Sequence, residues 1–193
     1  LTSTFSGGFL KGDEHYHKHL LNLDWYTPVV WKFVLTSSLK IGTIKMLKVN
    51  NRSYTYIPPY ERFIMGGNGI PYGTMLRGYP DNSIGPLTTQ GRGSGGNTMI
   101  KYTTEFRFPF SENPVVYAML FAEAGNVWQD TRLMSMLQYE RTNPLDLKRS
   151  AGVGIRFFMP MIGKLGFDVG YGFDDITGNG EPQGWEYTII FGN

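Results

Sequence analysis

An antiparallel up-and-down transmembrane β-barrel, all-β with eight strands present, is the architecture that this sequence of 193 residues predicts. Three observations carry that prediction. Apolar and polar residues alternate with period two in segments of about ten residues. The connections between those segments alternate between short and long, as in outer-membrane barrels with short turns at one end and longer loops at the other. No segment approaches the roughly 20 apolar residues of a membrane helix, whereas alternating strands average to low hydropathy, as the mean value of −0.24 allows.

Taken in chain order, Thr2–Phe9 carries the faintest alternation. In His19–Tyr26, Leu21, Leu23 and Trp25 face away from Asn22 and Asp24. Trp31–Gly42 sets Trp31, Phe33, Leu35, Leu39 and Ile41 against Lys32, Thr36, Ser38 and Lys40. In Met99–Phe108, Ile100, Tyr102, Phe106 and Phe108 oppose Lys101, Thr103, Glu105 and Arg107. Val115–Ala124 is apolar on both faces until Glu123. In Ser150–Met159, Ala151, Val153, Ile155, Phe157 and Met159 oppose Ser150, Gly152, Gly154, Arg156 and Phe158. The clearest segment is Leu165–Asp174, with Leu165, Phe167, Val169, Tyr171 and Phe173 on one face and Gly166, Asp168, Gly170, Gly172 and Asp174 on the other. The last strand places Trp185, Tyr187, Ile189 and Phe191 opposite Glu186 and Thr188.

Short turns are expected at Thr27-Pro28, Phe110–Pro114 and Pro160–Lys164, and long connections near 10–18, 48–98, 125–148 and 174–184. With an even strand count, both termini fall at the short-turn end. The whole of 1–193 reads as one barrel domain with a long inserted loop, 48–98. It opens on Leu1-Thr2-Ser3-Thr4, without initiator Met or signal peptide, which predicts a mature chain or an excised piece. Alternation alone does not say which face points inward, and a soluble barrel would turn Phe167 and Tyr171 to its interior. The membrane orientation is favoured by an apolar face with aromatics near its ends, by an opposite face rich in Gly, Thr and charge, and by a last strand ending with Phe191 on the apolar face.

Composition excludes several functions. With 0 cysteines there is no disulfide scaffold, zinc-thiolate site or cysteine nucleophile. A formal charge of +2 is too small for a nucleic-acid footprint, so no nucleic-acid partner is expected. His15, His17 and His19, beside Asp13 and Glu14, would share one face if extended and could ligate zinc or nickel, but they read better as a polar outer loop. Gly91–Gly96 lacks the strand, the helix and the Lys-Ser/Thr pair of a phosphate loop. Asn51-Arg52-Ser53 is incidental outside a eukaryotic secretory route. Asp24, Asp168, Asp174 and Arg156 read as lumen-facing polar residues. An outer-membrane enzyme would need a nucleophile with a nearby base, and all three histidines sit in one short stretch. The chain is therefore expected to be non-enzymatic, with no metal and no cofactor.

Loops beyond about 15 residues without structure of their own are usually functional or disordered. The connection 48–98 is not composed like a disordered one: it carries Tyr54, Tyr56, Ile57, Tyr60, Phe63, Ile64, Met65, Ile70, Tyr72, Met75, Leu76 and Tyr79. That apolar surface needs cover, most simply by folding back into the barrel mouth. Within it stands Met75-Leu76-Arg77-Gly78-Tyr79.

Phe63–Gly67, Leu76-Arg77-Gly78-Tyr79, Ile84-Gly85-Pro86 and Gly95-Gly96-Asn97 together resemble the signature loop of BamA-type outer-membrane protein assembly factors, in the bacterial surface antigen superfamily. The resemblance continues through Glu105–Pro109, Phe121–Trp128, Arg149–Arg156 and Gly166–Gly172. It implies the C-terminal half of a sixteen-stranded barrel that follows POTRA domains, in the outer membrane of Gram-negative bacteria, folding and inserting β-barrel proteins. It implies a loop descending into the lumen, where Arg77, next to Gly78, meets Glu105 and Glu123, with Leu76, Tyr79, Gly85 and Pro86 completing the signature. Trp185, Tyr187, Ile189 and Phe191 form the C-terminal strand signal. The implied partners are the bilayer and lipopolysaccharide, unfolded outer-membrane proteins as substrates, and accessory lipoproteins in the full-length protein. The departures are the missing first half and POTRA domains, and a C-terminus in Gly192-Asn193 instead of an aromatic. An isolated half either closes on itself as an eight-stranded barrel or pairs edge to edge with another copy. A passive structural or pore-forming barrel is the competing function, and the branch within the superfamily stays open.

Overall fold

The computed structural model describes residues 1–8, 13–49, 52–53, 57–86, 94–113, 115–129, 145–159 and 163–191. Eight strands form one antiparallel meander: β1 (Thr2–Ser6), β2 (Tyr16–Pro28), β3 (Val34–Met46), β6 (Thr98–Glu112), β7 (Val115–Trp128), β8 (Lys148–Met159), β9 (Gly163–Gly172) and β10 (Gly184–Phe191). A two-residue pair, β4 (Lys48–Val49) with β5 (Arg52–Ser53), stands apart at the start of the long connection. Among the described residues there are no α-helices.

Each strand pairs with its sequence neighbours, so β1 and β10 lie at opposite edges and the sheet is open. The closed ring of eight is therefore not what the chain forms, and the long loop supplies the reason. An eight-stranded barrel is only wide enough inside for its own side chains. Here the inner face also carries the loop: Ile57, Phe63, Met65, Leu76, Tyr79 and Ile84 pack with Tyr16, Ile44, Met99 and Val127 from the strands.

The faces follow the alternation. Asp168, Ser150, Glu123 and Arg156 are buried on the inner face, while Leu120, Val153, Phe167, Trp185, Tyr187, Ile189 and Phe191 are exposed on the other. Outer aromatics meet across strands, Trp185 edge-on to Tyr171 at 5.2 Å and Tyr187 stacked on Phe167 at 6.2 Å.

Several boundaries differ from expectation. β2 runs through Pro28, and the turn sits at 29–33, closed by Val29 N–H donating to Phe33 O at 3.0 Å. Trp31 and Phe33 therefore precede β3, and Trp31 adopts φ 56°, a turn conformation that no strand residue has. β1 stops at Ser6, and β9 stops at Gly172, leaving Phe173 and Asp174 to the following loop. β7 extends to Trp128 because Thr98 to Lys101 keep pairing with Gly125 to Trp128. β6 also runs further, to Glu112, past a bulge between Pro109 and Ser111. A proline lacks the ladder N–H, so a bulge is where it is tolerated in a central strand. Expectations for Phe9, Asn51, Tyr54, Tyr56, Gly91–Gly93, Pro114, Pro160 and Gly192-Asn193 fall outside the described residues.

The loop is held by its own backbone as well as by the sheet. Phe63 and Gly96 exchange hydrogen bonds at 2.9 and 2.8 Å, Thr74 N–H donates to Ile64 O at 2.7 Å, and Ile84 N–H donates to Met65 O at 3.0 Å. Not all of its apolar residues are covered: Tyr60, Ile70 and Tyr72 are exposed.

Candidate functional site

Strand register explains how one arginine reaches carboxylates from three strands. Glu123 on β7 is opposite Thr103 and Ser150; Glu105 on β6 is opposite Phe121; Asp168 on β9 is opposite Gly154, itself opposite Met119. In each strand these inward residues are two apart, so the three acids lie in three successive rows of one wall. The loop tip comes down onto those rows.

Arg77 is 2% exposed. Its Nη2 donates to Glu105 Oε1 and to Glu123 Oε1, both at 2.8 Å, and its Nη1 lies 3.4 Å from Asp168 Oδ2. Its backbone N–H donates to Glu123 Oε2 at 2.8 Å, so this glutamate grips main chain and side chain together. The Phe121 ring lies 3.8 Å from the guanidinium carbon, a cation–π contact in a desolvated setting. A planar, forked guanidinium can serve several carboxylate oxygens at once, whereas an ammonium acts as a point charge.

The same acids are shared with cations of the wall. Lys101 reaches Glu123 at 2.9 Å, Arg107 reaches Glu105 at 2.7 Å, and Arg156 forks onto Asp168 with Nη2 at 2.7 Å. Thr103 Oγ1 donates to Glu123 Oε1 at 3.2 Å. Desolvating charges is expensive unless they are paired and hydrogen-bonded, and here each buried carboxylate has at least two cationic neighbours.

Gly78 is required twice over. Its φ of 82° lies in the left-handed region, and a Cβ there would stand 2.9 Å from Ser150 Cβ and 3.1 Å from Gly172 N. The wall yields in turn: a Cβ on Gly170 would meet Gly78 N at 2.8 Å. Gly78→Ala should therefore lift the tip off the wall, at a cost of about 1–3 kcal/mol from backbone strain alone. Urea unfolding of the variant beside the parent chain checks this, and unchanged stability would contradict the close approach.

Of the other signature residues, Leu76 and Tyr79 are buried in the core. The Tyr79 hydroxyl donates to Arg149 O at 2.6 Å and lies 3.1 Å from Asp174 Oδ2. Burial first, and the Asp174 carboxylate second, push that hydroxyl far above the ordinary tyrosine value, so it remains a donor. Gly85, at φ 114°, passes the Val127 side chain of β7, and Pro86 O accepts from Ser94 N and Oγ at 2.7 and 2.9 Å. Trp185, Tyr187, Ile189 and Phe191 lie on the outer face and take no part in the cluster.

Sequence reasoning placed Asp168 and Arg156 in the lumen without joining them to Arg77, and it did not single out Lys101, Arg107, Met119 or Phe121. The missing signal was register, because alternation gives the face of a residue but not its height. The three histidines do not converge on one point: His17 and His19 are in ring contact on the outer face, with centroids 5.0 Å apart, whereas His15 is buried and accepts from Gly8 N–H at 2.7 Å.

Comparison with known proteins agrees with this architecture. Residues 1–189 match the family model described as Omp85 superfamily domain. By structure, the chain is similar to BamA from Haemophilus ducreyi lacking POTRA domains 1-3, with a TM-score of 0.68 at 20% identity over 92% of this chain. The matched region is 35% of that BamA chain, so the present chain spans about a third of its length. No curated protein matched by sequence. The chain belongs to the Omp85 superfamily of outer-membrane β-barrel proteins.

Proposed function

We propose that the chain is the C-terminal half of the barrel of a BamA-type assembly factor, non-enzymatic, which folds and inserts β-barrel proteins into the bacterial outer membrane. One observation carries the reading: the Leu76–Tyr79 tip of the long loop lies on the inner wall, with Arg77 bonded to Glu105 and Glu123. In this account Arg77 anchors the loop, and the anchored loop shapes the lumen in which substrate strands are received. A passive pore is the competing reading, and a loop filling the inner face works against it.

The open edges at β1 and β10 fit the same proposal, since unpaired strand edges are not tolerated in lipid and the missing half of the barrel would cover them. Unfolded outer-membrane proteins are the proposed substrates, and accessory lipoproteins the proposed partners of the full-length protein. The decisive experiment joins this chain to the POTRA domains and first barrel half of a BamA-type protein, in cells depleted of their own assembly factor. Restored levels of folded outer-membrane proteins support the reading. A chimera that reaches the membrane folded yet restores none contradicts it.

Membrane placement also sets the cost of a charge on the outer face. Leu120, exposed in the middle of β7, faces lipid in this account. Leu120→Arg should destabilise the bilayer-inserted fold by about 2–4 kcal/mol. Urea titration in lipid vesicles measures it, and a neutral result would place that face outside the hydrocarbon.

A further inference from the structure

The outer face changes character abruptly near the long-loop end of β2 and β3. Cross-strand pairs Leu23↔Leu39 and Leu21↔Ile41 are apolar; the next two outward pairs are His19↔Thr43 and His17↔Lys45. The inward neighbours Tyr16 and Leu20 pack with the core, and Lys18 bonds Glu61, so His17 and His19 point outward. β1 adds Ser3 opposite His19 and Phe5 opposite His17.

These groups form a donor-rich cradle. Ser3 Oγ is 2.9 Å from His19 Nδ1, and His19 Nε2 is 3.0 Å from His17 Nδ1. The chain of contacts occupies both His19 nitrogens and one of His17. Among the described residues, His17 Nε2 and Lys45 Nζ have no hydrogen-bond or ion-pair partner. Phe5 stacks on His17 with centroids 6.3 Å apart and meets His19 edge-on at 5.7 Å. His17 and Lys45 stand opposite each other across β2 and β3, so an anion held between them meets the Lys45 ammonium and His17 Nε2 together. Among the described residues, no carboxylate is bonded to this pair: Glu14 bonds the Tyr60 hydroxyl at 2.8 Å, and β1 presents only Ser3 and Phe5.

We propose that His17, His19 and Lys45 form an outward-facing site for the phosphate monoester of an outer-leaflet glycolipid. The site lies just past the apolar band, at the end of the barrel carrying the long loops, where lipid headgroups begin. Phosphate supplies acceptor oxygens for His17 Nε2 and Lys45 Nζ, and Phe5 packs beside the sugar and acyl chains. The inference rests on the outer-membrane placement and is independent of the assembly role.

The sequence has 3 histidines, which makes the test direct. The full chain, folded in zwitterionic detergent micelles with isotope-labelled imidazoles, is titrated with a bis-phosphorylated diglucosamine acyl lipid, with its dephosphorylated counterpart, or with inorganic phosphate. The phosphorylated lipid should shift the His17 and His19 resonances saturably and leave His15 in place, and the dephosphorylated lipid should shift none. Lys45→Gln, an outer-face change, should weaken that binding about tenfold. Absence of a saturable shift with the phosphorylated lipid on the unsubstituted chain overturns the site. An equal response to inorganic phosphate alone overturns its assignment to lipid.

Discussion

Arg77→Ala should release the tip of the long loop from the inner wall and make the peptide bond after Leu76 accessible to chymotrypsin. Removing one partner of a buried ion pair costs about 3–5 kcal/mol, because the remaining charge is stranded. Here the lower end of that range applies. Glu123 keeps Lys101, Glu105 keeps Arg107 and Asp168 keeps Arg156, so no carboxylate is left without a cation. About 3 kcal/mol corresponds to roughly a hundredfold rise in the open population, which limited proteolysis reports when opening is fast relative to cleavage. Arg77→Lys should fall between parent and alanine, since one ammonium cannot span Glu105, Glu123 and Asp168. An alanine variant cut no faster than the parent would show that the apolar contacts of Leu76 and Tyr79 hold the tip unaided.

Glu123→Lys should be the more damaging change. Glu123 accepts from Arg77 backbone N–H, Arg77 Nη2, Lys101 Nζ and Thr103 Oγ1, all within 3.2 Å. Lysine removes every one of those acceptors and sets a third cation beside Arg77 and Lys101, where like charges disfavour one another's charged forms. The expected loss exceeds that of the arginine deletion, on the order of 5 kcal/mol or more. It should appear as failure to reach a protease-resistant folded state in lipid vesicles. Glu123→Gln separates charge from shape, because it keeps one acceptor oxygen without reversing the charge, and it should cost distinctly less. Equal behaviour of the two variants would remove the electrostatic argument.

Much of this arrangement was legible in the chain because β-strand alternation is a local property. Phe167 and Asp168 go to opposite faces whatever the rest of the fold does. Strand ends were less legible: the turn after Pro28 lengthened at the expense of Trp31 and Phe33, and β7 continued past Ala124 because β6 still offered it partners. The acidic partners of Arg77 divide along the same line. Glu105 and Glu123 follow from a family resemblance and from facing inward, whereas Asp168 needs the register that brings Gly154 opposite it. Its neighbours Lys101, Arg107 and Arg156 were visible as lumen-facing charges, yet only the heights of their strands pair them with particular acids. The open sheet was not legible, because closure depends on what fills the inner face, and that is a long-range packing outcome.

Trypsin supplies the most direct measurement, because Arg77, the proposed anchor, is itself its target. On the folded chain in lipid vesicles, the Arg77–Gly78 bond should survive, since the arginine side chain is bonded to Glu105 and Glu123 and Gly78 abuts Ser150. Once urea unfolds the chain, the same bond should be cut promptly. Rapid cleavage at Arg77 in the folded chain, read by mass spectrometry of the fragments, would contradict a loop held on the inner wall.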